Sequence, residues 1–343
     1  MPRRKNIFVL MGGRSPEHEI SLISGREVSK NLDHRKYNIV PILVSKNGER
    51  WQLTTEKSLT EIENPIKYKG TKMEIEVSEK KVFTNMKNIP GKPDLVFIAM
   101  HGPYGEDGTV QGMLDLAGLK YTGSGVLASA IGMDKLMFKR IMVEENIKIP
   151  KYIELHPGQP TSIIGRKLGG PPYFIKPSDQ GSSIGCSVVR NKKSFEKSLK
   201  LAWRYSKYAL VEEYVSGKEL TCAVLGNENP VALPVIEIIP RKAEYFDYNS
   251  KYLESGSEEI VPARISNNLA KRVQQIAIRV HKVLGCRGFS RVDFIVKNTK
   301  IPLVLEINTI PGLTPMSLLP KAAKASGITY PRLLDKIIKY ALE

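Results

Sequence analysis

The sequence predicts a mixed α/β and α+β fold: a parallel-sheet region first, then two smaller α+β regions. Three observations carry this. Residues 1–100 alternate apolar strand-like runs with helical segments, the pattern of a sheet built from βαβ units. A strand, a Gly/Ser loop and a second strand surround Lys176. Near the C-terminus, two alternating runs flank a short polar turn, which reads as a β-hairpin.

In chain order, Ile7–Met11 is the first strand. Ser15 and Pro16 read as N-cap and first residue of a helix, with Glu17 and Glu19 in its acid-favouring first turn. Tyr37–Val44 and Asp94–Ala99 are further strands, and the charged stretch 50–90, with strand-like pieces such as Lys81–Thr84, elaborates this region. Residues 101–125, glycine-rich at 101–108 and 121–125, read as loops at its edge. Asp134 caps a helix running through Glu145. Strands follow at Tyr173–Lys176, Cys186–Val189 and Ala209–Tyr214. A helix over 267–284 repeats Leu269, Val273, Ile276, Val280 and Val283, then stops at Gly285. The hairpin comes next, and a helix from Tyr330 closes the chain. Three units are expected: 1–125, 126–216 and 217–343, the last with a mobile loop at 244–259.

The 343 residues suffice for more than one core, and no apolar run approaches the roughly 18–20 residues of a membrane span. The N-terminal apolar run leads into Gly12-Gly13 rather than a cleavage site, so a cytoplasmic protein is expected. The three cysteines, Cys186, Cys222 and Cys286, form no C-x-x-C pair and read as buried thiols. The formal charge of +17 raises nucleic-acid binding. Its basic residues are dispersed, however, and no zinc-finger or RNP1-like string occurs, so a lysine-rich solvated surface is the better reading.

The hairpin carries the first chemical signal. Residues two apart on a strand share a face. Arg291 and Asp293 therefore point one way on one strand, and Glu306 and Asn308 point one way on the other. If the two faces coincide, two carboxylates and an amide oxygen gather where Mg²⁺ is usually held beside a nucleotide phosphate. Otherwise the segment is a solvated hairpin with surface charges.

The second signal is Lys176-Pro177-Ser178-Asp179-Gln180-Gly181-Ser182-Ser183, between two strands. Glycines let backbone N–H groups converge on phosphate oxygens, and serines add donors. The lysine precedes the loop, so this is not a Walker P-loop. Between the two signals, the end of the strand around Glu212 and Glu213 can pair with an adenine edge, and a nearby carboxylate can take ribose hydroxyls.

In this order, these residues resemble the ATP-grasp superfamily and, within it, the D-alanine–D-alanine ligase family. The most specific segments are Gly12-Gly13-Arg14-Ser15-Pro16-Glu17-His18-Glu19-Ile20-Ser21, His101–Gly108, Lys176–Ser183, Phe246–Tyr252 and Glu306–Ser317. The resemblance covers essentially the whole chain. It implies an ATP-grasp fold with a Rossmann-like N-terminal domain, and ATP-driven joining of two D-alanines through an acyl phosphate for peptidoglycan.

It further implies that Asp293, Glu306 and Asn308 hold two Mg²⁺ ions, with Mn²⁺ possible and Glu306 bridging. Lys135 and Lys176 would contact the α/β-phosphates and Lys251 the γ-phosphate. Glu212, Glu219 and the backbone from Glu213 to Val215 would bind adenosine. Arg291 and the Gly312 amide would stabilise the oxyanion. Glu17 would take the first ammonium and Ser317 the second carboxylate, with Ser182 and Tyr252 linked to Glu17. Retention of Tyr252 implies an amine acceptor, because D-lactate-using relatives typically change it. Met316 replaces a polar residue of some relatives, leaving the second-substrate pocket less defined.

Four residues keep a second reading: Glu17 as a helix-start acid, Tyr252 as a loop aromatic, Ser317 as a helix cap and His101 as a brace for the glycine loop. The resemblance also implies a homodimer, with D-alanine and ATP as small-molecule partners and neither nucleic acid nor membrane. The remaining alternatives are an ATP-grasp ligase for another acceptor, a nucleic-acid binder and a non-catalytic ATP-binding regulator.

Overall fold

The computed structural model describes residues 3–53, 74–76, 92–181, 183–241, 257–298 and 300–343. Its strands form three sheets.

The first comprises β1 (Lys5–Gly12), β2 (Tyr37–Val44), β3 (Arg50–Leu53), β4 (Glu74–Glu76) and β5 (Leu95–Ile98), in the order β4-β3-β2-β1-β5. β1 runs parallel to both β2 and β5. Residues 7–11 of β1 are buried on both faces, as expected for a parallel strand with cover on each side. The helix His18–Asn31 provides part of that cover, so close that a Cβ on Gly25 would lie 2.5 Å from the Met11 Cβ. The C-terminal helix Tyr330–Leu342 packs against β5 and the same helix, burying Leu333, Leu334, Ile337 and Ile338.

The second sheet has β6 (Tyr152–Leu155), β7 (Tyr173–Pro177), β8 (Ser187–Val189) and β9 (Ala209–Glu213), antiparallel in the order β6-β9-β7-β8. Ile153, Ile175 and Val211 share a core with Phe195 and Leu199 of the helix Lys192–Trp203. Tyr152 and Phe174 both pair with Glu212, so these three side chains share the opposite face.

The third sheet contains β10 (Gly217–Leu225), β11 (Val231–Ala232), β12 (Ile236–Pro240), β13 (Ser257–Ile260), β14 (Phe289–Lys297) and β15 (Ile301–Asn308). Its order is β13-β12-β10-β14-β15, with β11 on β10. The helix Asn267–Val283 buries Val273, Ala277 and Val280 against Cys222, Val292 and Val304. Gly285, at φ +66°, ends that region as expected.

Several expectations need correction. The first helix starts at His18, not Pro16. Ser15 Oγ accepts from the Glu17 N–H at 3.0 Å, and the His18 N–H donates to Ser15 O, so Ser15 and Pro16 form a turn that presents Glu17 at the helix entry. The segment 101–125 is not all loop, because Thr109–Leu116 is helical. Gly108, at φ +93°, sets its start and Asp107 Oδ1 accepts from the Thr109 N–H. The flanking glycines hid this short period. Val126–Met133 is a further helix, ahead of the one that Asp134 caps by accepting from the Leu136 and Met137 N–H groups. Of the expected loop 244–259, residues 257–259 lie in β13, paired to β12, and the rest lies outside the described residues.

Candidate active site

The hairpin resolves the conditional reading of its faces. Arg291 pairs directly with Asn308, and Asp293 with Glu306. Directly opposed residues of an antiparallel ladder project from the same face, so all four meet. The register shifts beyond Asp293, and Phe294 pairs with Val304, leaving Leu305 as the extra residue. Such a bulge re-aims the strand end beside it. Arg291 grips Asp293 with both ends, Nε to Oδ1 at 2.9 Å and Nη2 to Oδ2 at 2.8 Å. Thr221, opposite Asp293 on β10, donates its hydroxyl to Oδ1 at 2.5 Å, and Asn308 Nδ2 donates to Oδ2 at 3.1 Å.

Facing this acidic wall is a basic one. Lys135 opens the helix Lys135–Glu144, and its backbone N–H donates to Ser178 O at 2.7 Å, pinning the helix to the Gly/Ser loop. Its Nζ donates to Gln180 O at 2.6 Å and sits 3.6 Å from Glu306 Oε2, where the walls meet. Lys176, at the end of β7, places Nζ 3.0 Å from Glu212 Oε1. One helical turn beyond Lys135, Lys139 places its own Nζ 2.8 Å from that same oxygen. Lys139 is fully buried, and Lys135, Lys176 and Glu212 nearly so. Burial opposes the charges of Lys139, Lys176 and Glu212. Even so, Lys139 and Lys176 hold the Glu212 carboxyl below its ordinary range, and Glu212 and Glu306 hold Lys176 above its own.

Between the walls lies a cleft of about 320 Å³. Phe174, Ile238, Phe294 and Leu305 give it apolar surface, and Glu213, Tyr214, Val215 and Glu219 line its strand-end side. Glu213 is held there by Lys297 at 3.2 Å and by the Lys151 N–H at 3.0 Å.

A second cluster is built around Glu17, which is buried. A Cβ on Gly102 would fall 2.5 Å from Ser15 Oγ and 2.7 Å from Glu17 Oε2, and Gly102 has φ +72°. A Cβ on Gly181 would fall 3.0 Å from the same carboxylate oxygen. Glycine is required at Gly102 on both counts, and the Gly/Ser loop closes on Glu17 from the other side. His101 lies beneath. Its Nδ1 faces two acceptors, Glu106 Oε1 at 3.1 Å and Ile310 O at 3.2 Å, while Nε2 meets Ser24 Oγ at 2.8 Å. Burial works against the His101 charge, but Glu106 and Glu17 outweigh it and hold the imidazolium above its usual range. Burial, with Glu17 adding to it, raises the Glu106 carboxyl. His101 therefore ties the glycine loop to the segment carrying Gly312. Past Gly312, Ser317 Oγ hydrogen-bonds the Thr314 N–H at 3.2 Å and Thr314 Oγ1 at 2.8 Å, and a Cβ on Gly312 would lie 2.9 Å from it.

The structure thus gathers Lys135, Lys176, Glu212, Glu213, Val215, Glu219, Asp293 and Glu306 around one cleft, with Arg291 and Asn308 on the same acidic face. Glu17 and the Gly312–Ser317 turn are joined to one another through the His101 loop. Ser182, Lys251 and Tyr252 lie outside the described residues. The sequence reading missed Lys139. Its signal was the four-residue spacing from Lys135, which places both on one helical face.

Sequence models of the D-ala D-ala ligase N-terminus and C-terminus match residues 6–124 and 153–339. The chain belongs to the D-alanine–D-alanine ligase family. Among relatives of that family, the D-alanine–D-alanine ligase of Desulforudis audaxviator is 40% identical over 342 residues, covering 99% of each chain. Among solved structures, the VanG D-Ala:D-Ser ligase of Enterococcus faecalis aligns with TM-score 0.82 at 32% identity, covering 99% of this chain and all of that one. The ligase of Bacillus anthracis complexed with ATP aligns with TM-score 0.76 at 35% identity, covering 99% and 97%. The ATP-grasp fold class follows from this family. Among the described residues, no helix is long and apolar enough to cross a membrane.

Proposed function

We propose that this chain joins two D-alanines into D-alanyl-D-alanine with ATP, through an acyl phosphate, for peptidoglycan synthesis. One observation carries the reading of the site. The paired face Arg291–Asn308 and Asp293–Glu306 stands opposite buried Lys135 and Lys176 across a cleft sized for a nucleotide.

Adenine lies against the apolar surface, with the 213–215 backbone on its edge and Glu219 on the ribose. Lys135 and Lys176 take the α/β-phosphates, and Lys251 the γ-phosphate. The first D-alanine anchors its ammonium on Glu17 and offers its carboxylate between Arg291 and the Gly312 N–H. A carboxylate oxygen attacks the γ-phosphorus and ADP departs. Phosphoryl transfer of this kind depends mainly on positioning and charge neutralisation. The second D-alanine, its carboxylate at Ser317, attacks as the neutral amine. The tetrahedral oxyanion is stabilised by the Arg291 cation and the Gly312 N–H. Its collapse expels phosphate, which keeps the donor carboxylate oxygen, and leaves an amide. Ser182 and Tyr252 complete the network around Glu17.

The donor set fits Mg²⁺. Among the described residues no group of three or more Asp, Glu, His or Cys side chains is placed to hold a metal ion by itself. Two carboxylates and an amide are what Mg²⁺ takes from protein when phosphates and water complete its shell. Asp293, Glu306 and Asn308 would hold two such ions, or Mn²⁺, which neutralise the charge on the transferring phosphate. Asn308 needs only an amide rotation to exchange its N–H₂ for its oxygen.

Units at 1–125, 126–216 and 217–343, a cytoplasmic location and a homodimer complete the proposal. The exposed Leu116, Val126 and Leu127, on two touching helices, favour a second copy as their cover. Phosphate release and product analysis with ATP plus D-alanine, D-serine or D-lactate test the reaction. D-alanyl-D-alanine is the expected main product. Mostly depsipeptide or D-alanyl-D-serine would replace this reading with that of another acceptor.

A further inference from the structure

We propose that Lys139 is a positioning residue for nucleotide binding: it holds the Glu212 carboxylate from behind, so that Lys176 can be released from Glu212 to an incoming phosphate. The proposal rests on the reading of the cleft as the nucleotide site.

Lys139 and Lys176 approach a single oxygen, Glu212 Oε1, at 2.8 and 3.0 Å, and all three side chains are buried. One lysine would already neutralise the carboxylate. The second leaves a net positive charge in a desolvated place, an arrangement that stability alone does not favour. The two lysines are not equivalent. Lys176 lines the cleft beside the Gly/Ser loop, with Phe174 under its ammonium. Lys139 is shut in behind Glu212, its Nζ 5.5 Å from the Tyr152 ring centroid. An arriving triphosphate can therefore draw off Lys176 alone.

The consequence is thermodynamic. With Lys139 in place, moving Lys176 to a phosphate leaves Glu212 paired. Without Lys139, the same move strips a buried carboxylate of the last cation paired with it among the described residues, and the nucleotide binds more weakly. The groups facing Lys139 are Glu212 on β9, Lys176 on β7 and Tyr152 on β6, with Glu306 on β15 acting at longer range. Burial, opposed by Glu212, pushes the Lys139 ammonium down to about 8.

The test compares wild type, Lys139→Met, Glu212→Gln and the double variant by ADP titration calorimetry and steady-state kinetics. Lys139→Met should weaken ADP binding and raise KM for ATP about tenfold or more, the scale of one charge-assisted contact. KM for D-alanine and kcat at saturating ATP should stay within about twofold, a split that a merely structural role does not produce. In the Glu212→Gln background, which has no carboxylate left to hold, the same change should shift ADP affinity by less than about twofold. Equal ADP affinity of wild type and Lys139→Met, or equal losses in both backgrounds, overturns the proposal. Should Lys139→Met not fold, wild-type ADP affinity decides instead. It is expected to fall as pH rises through about 8, where Lys139 loses its proton. A flat profile to pH 9 overturns the proposal. Wild type that binds no ADP would sink the nucleotide reading itself, a different failure from an unaffected Lys139→Met.

Discussion

The two walls of the cleft are built in opposite ways. The acidic wall is one hairpin: Arg291, Asp293, Glu306 and Asn308 lie within eighteen residues of sequence and meet because strand side chains alternate. The basic wall is assembled from a helix start and the ends of two strands, which bring Lys135, Lys139, Lys176 and Glu212 together from distant segments. Local periodicity encodes the first wall, and only tertiary packing makes the second. Their energetics differ as well. The acidic wall is half-open to the cleft, whereas the basic wall is desolvated and answers to the balance of its own charges.

The largest expected effect strikes the acidic wall. Glu306→Gln keeps shape and removes the charge, so kcat should fall about 100-fold or more, the scale of losing one preorganised electrostatic group. Phosphate-release kinetics at matched Mg²⁺, with circular dichroism to confirm folding, measure this. Near-normal turnover would remove Glu306 from the metal site. On the basic wall, Lys176→Met should act on KM for ATP by about 30-fold, with a smaller change in kcat. If it lowered kcat alone, Lys176 would serve phosphoryl transfer rather than nucleotide binding.

The pattern of what could be read from sequence follows the same contrast. The hairpin, the Asp134-capped helix and the helix ending at Gly285 were legible because cap residues and strict periods mark them. The helix Thr109–Leu116 was not, since Gly108 and Gly118 frame it like a loop. The start of the first helix was misplaced by two residues because Ser15 and Pro16 are equally good turn formers. Glu17, Lys176 and Glu306 were found through motif resemblance and local pattern. Lys139 carries no motif, and its partner Glu212 lies far along the chain, so its burial and its contact appear only in three dimensions.

A third, smaller effect separates the Glu17 cluster from both walls. Gly102→Ala forces a Cβ against Ser15 Oγ and Glu17 Oε2 at φ +72°. It should raise KM for D-alanine about tenfold and cost about 1–3 kcal/mol of stability, while ADP affinity stays unchanged. Calorimetry with ADP and thermal denaturation check it, and a parallel loss of ADP binding would make the Glu17 cluster and the cleft one site. The smallest effect concerns the thiols. Burial pushes Cys222 and Cys286 up to about 12, whereas Cys186 lines the cleft and is half-buried. A thiol reagent at pH 8 should modify Cys186 first, and ADP should slow it. Equal reaction at all three would contradict the burial described.

The central claim is that a D-alanine carboxylate is phosphorylated at the meeting of these walls. Its most direct test follows ¹⁸O from carboxylate-labelled D-alanine during turnover with unlabelled ATP. Each released phosphate should carry one ¹⁸O atom, transferred from the donor carboxylate. Phosphate free of label, with dipeptide still formed, would contradict the account.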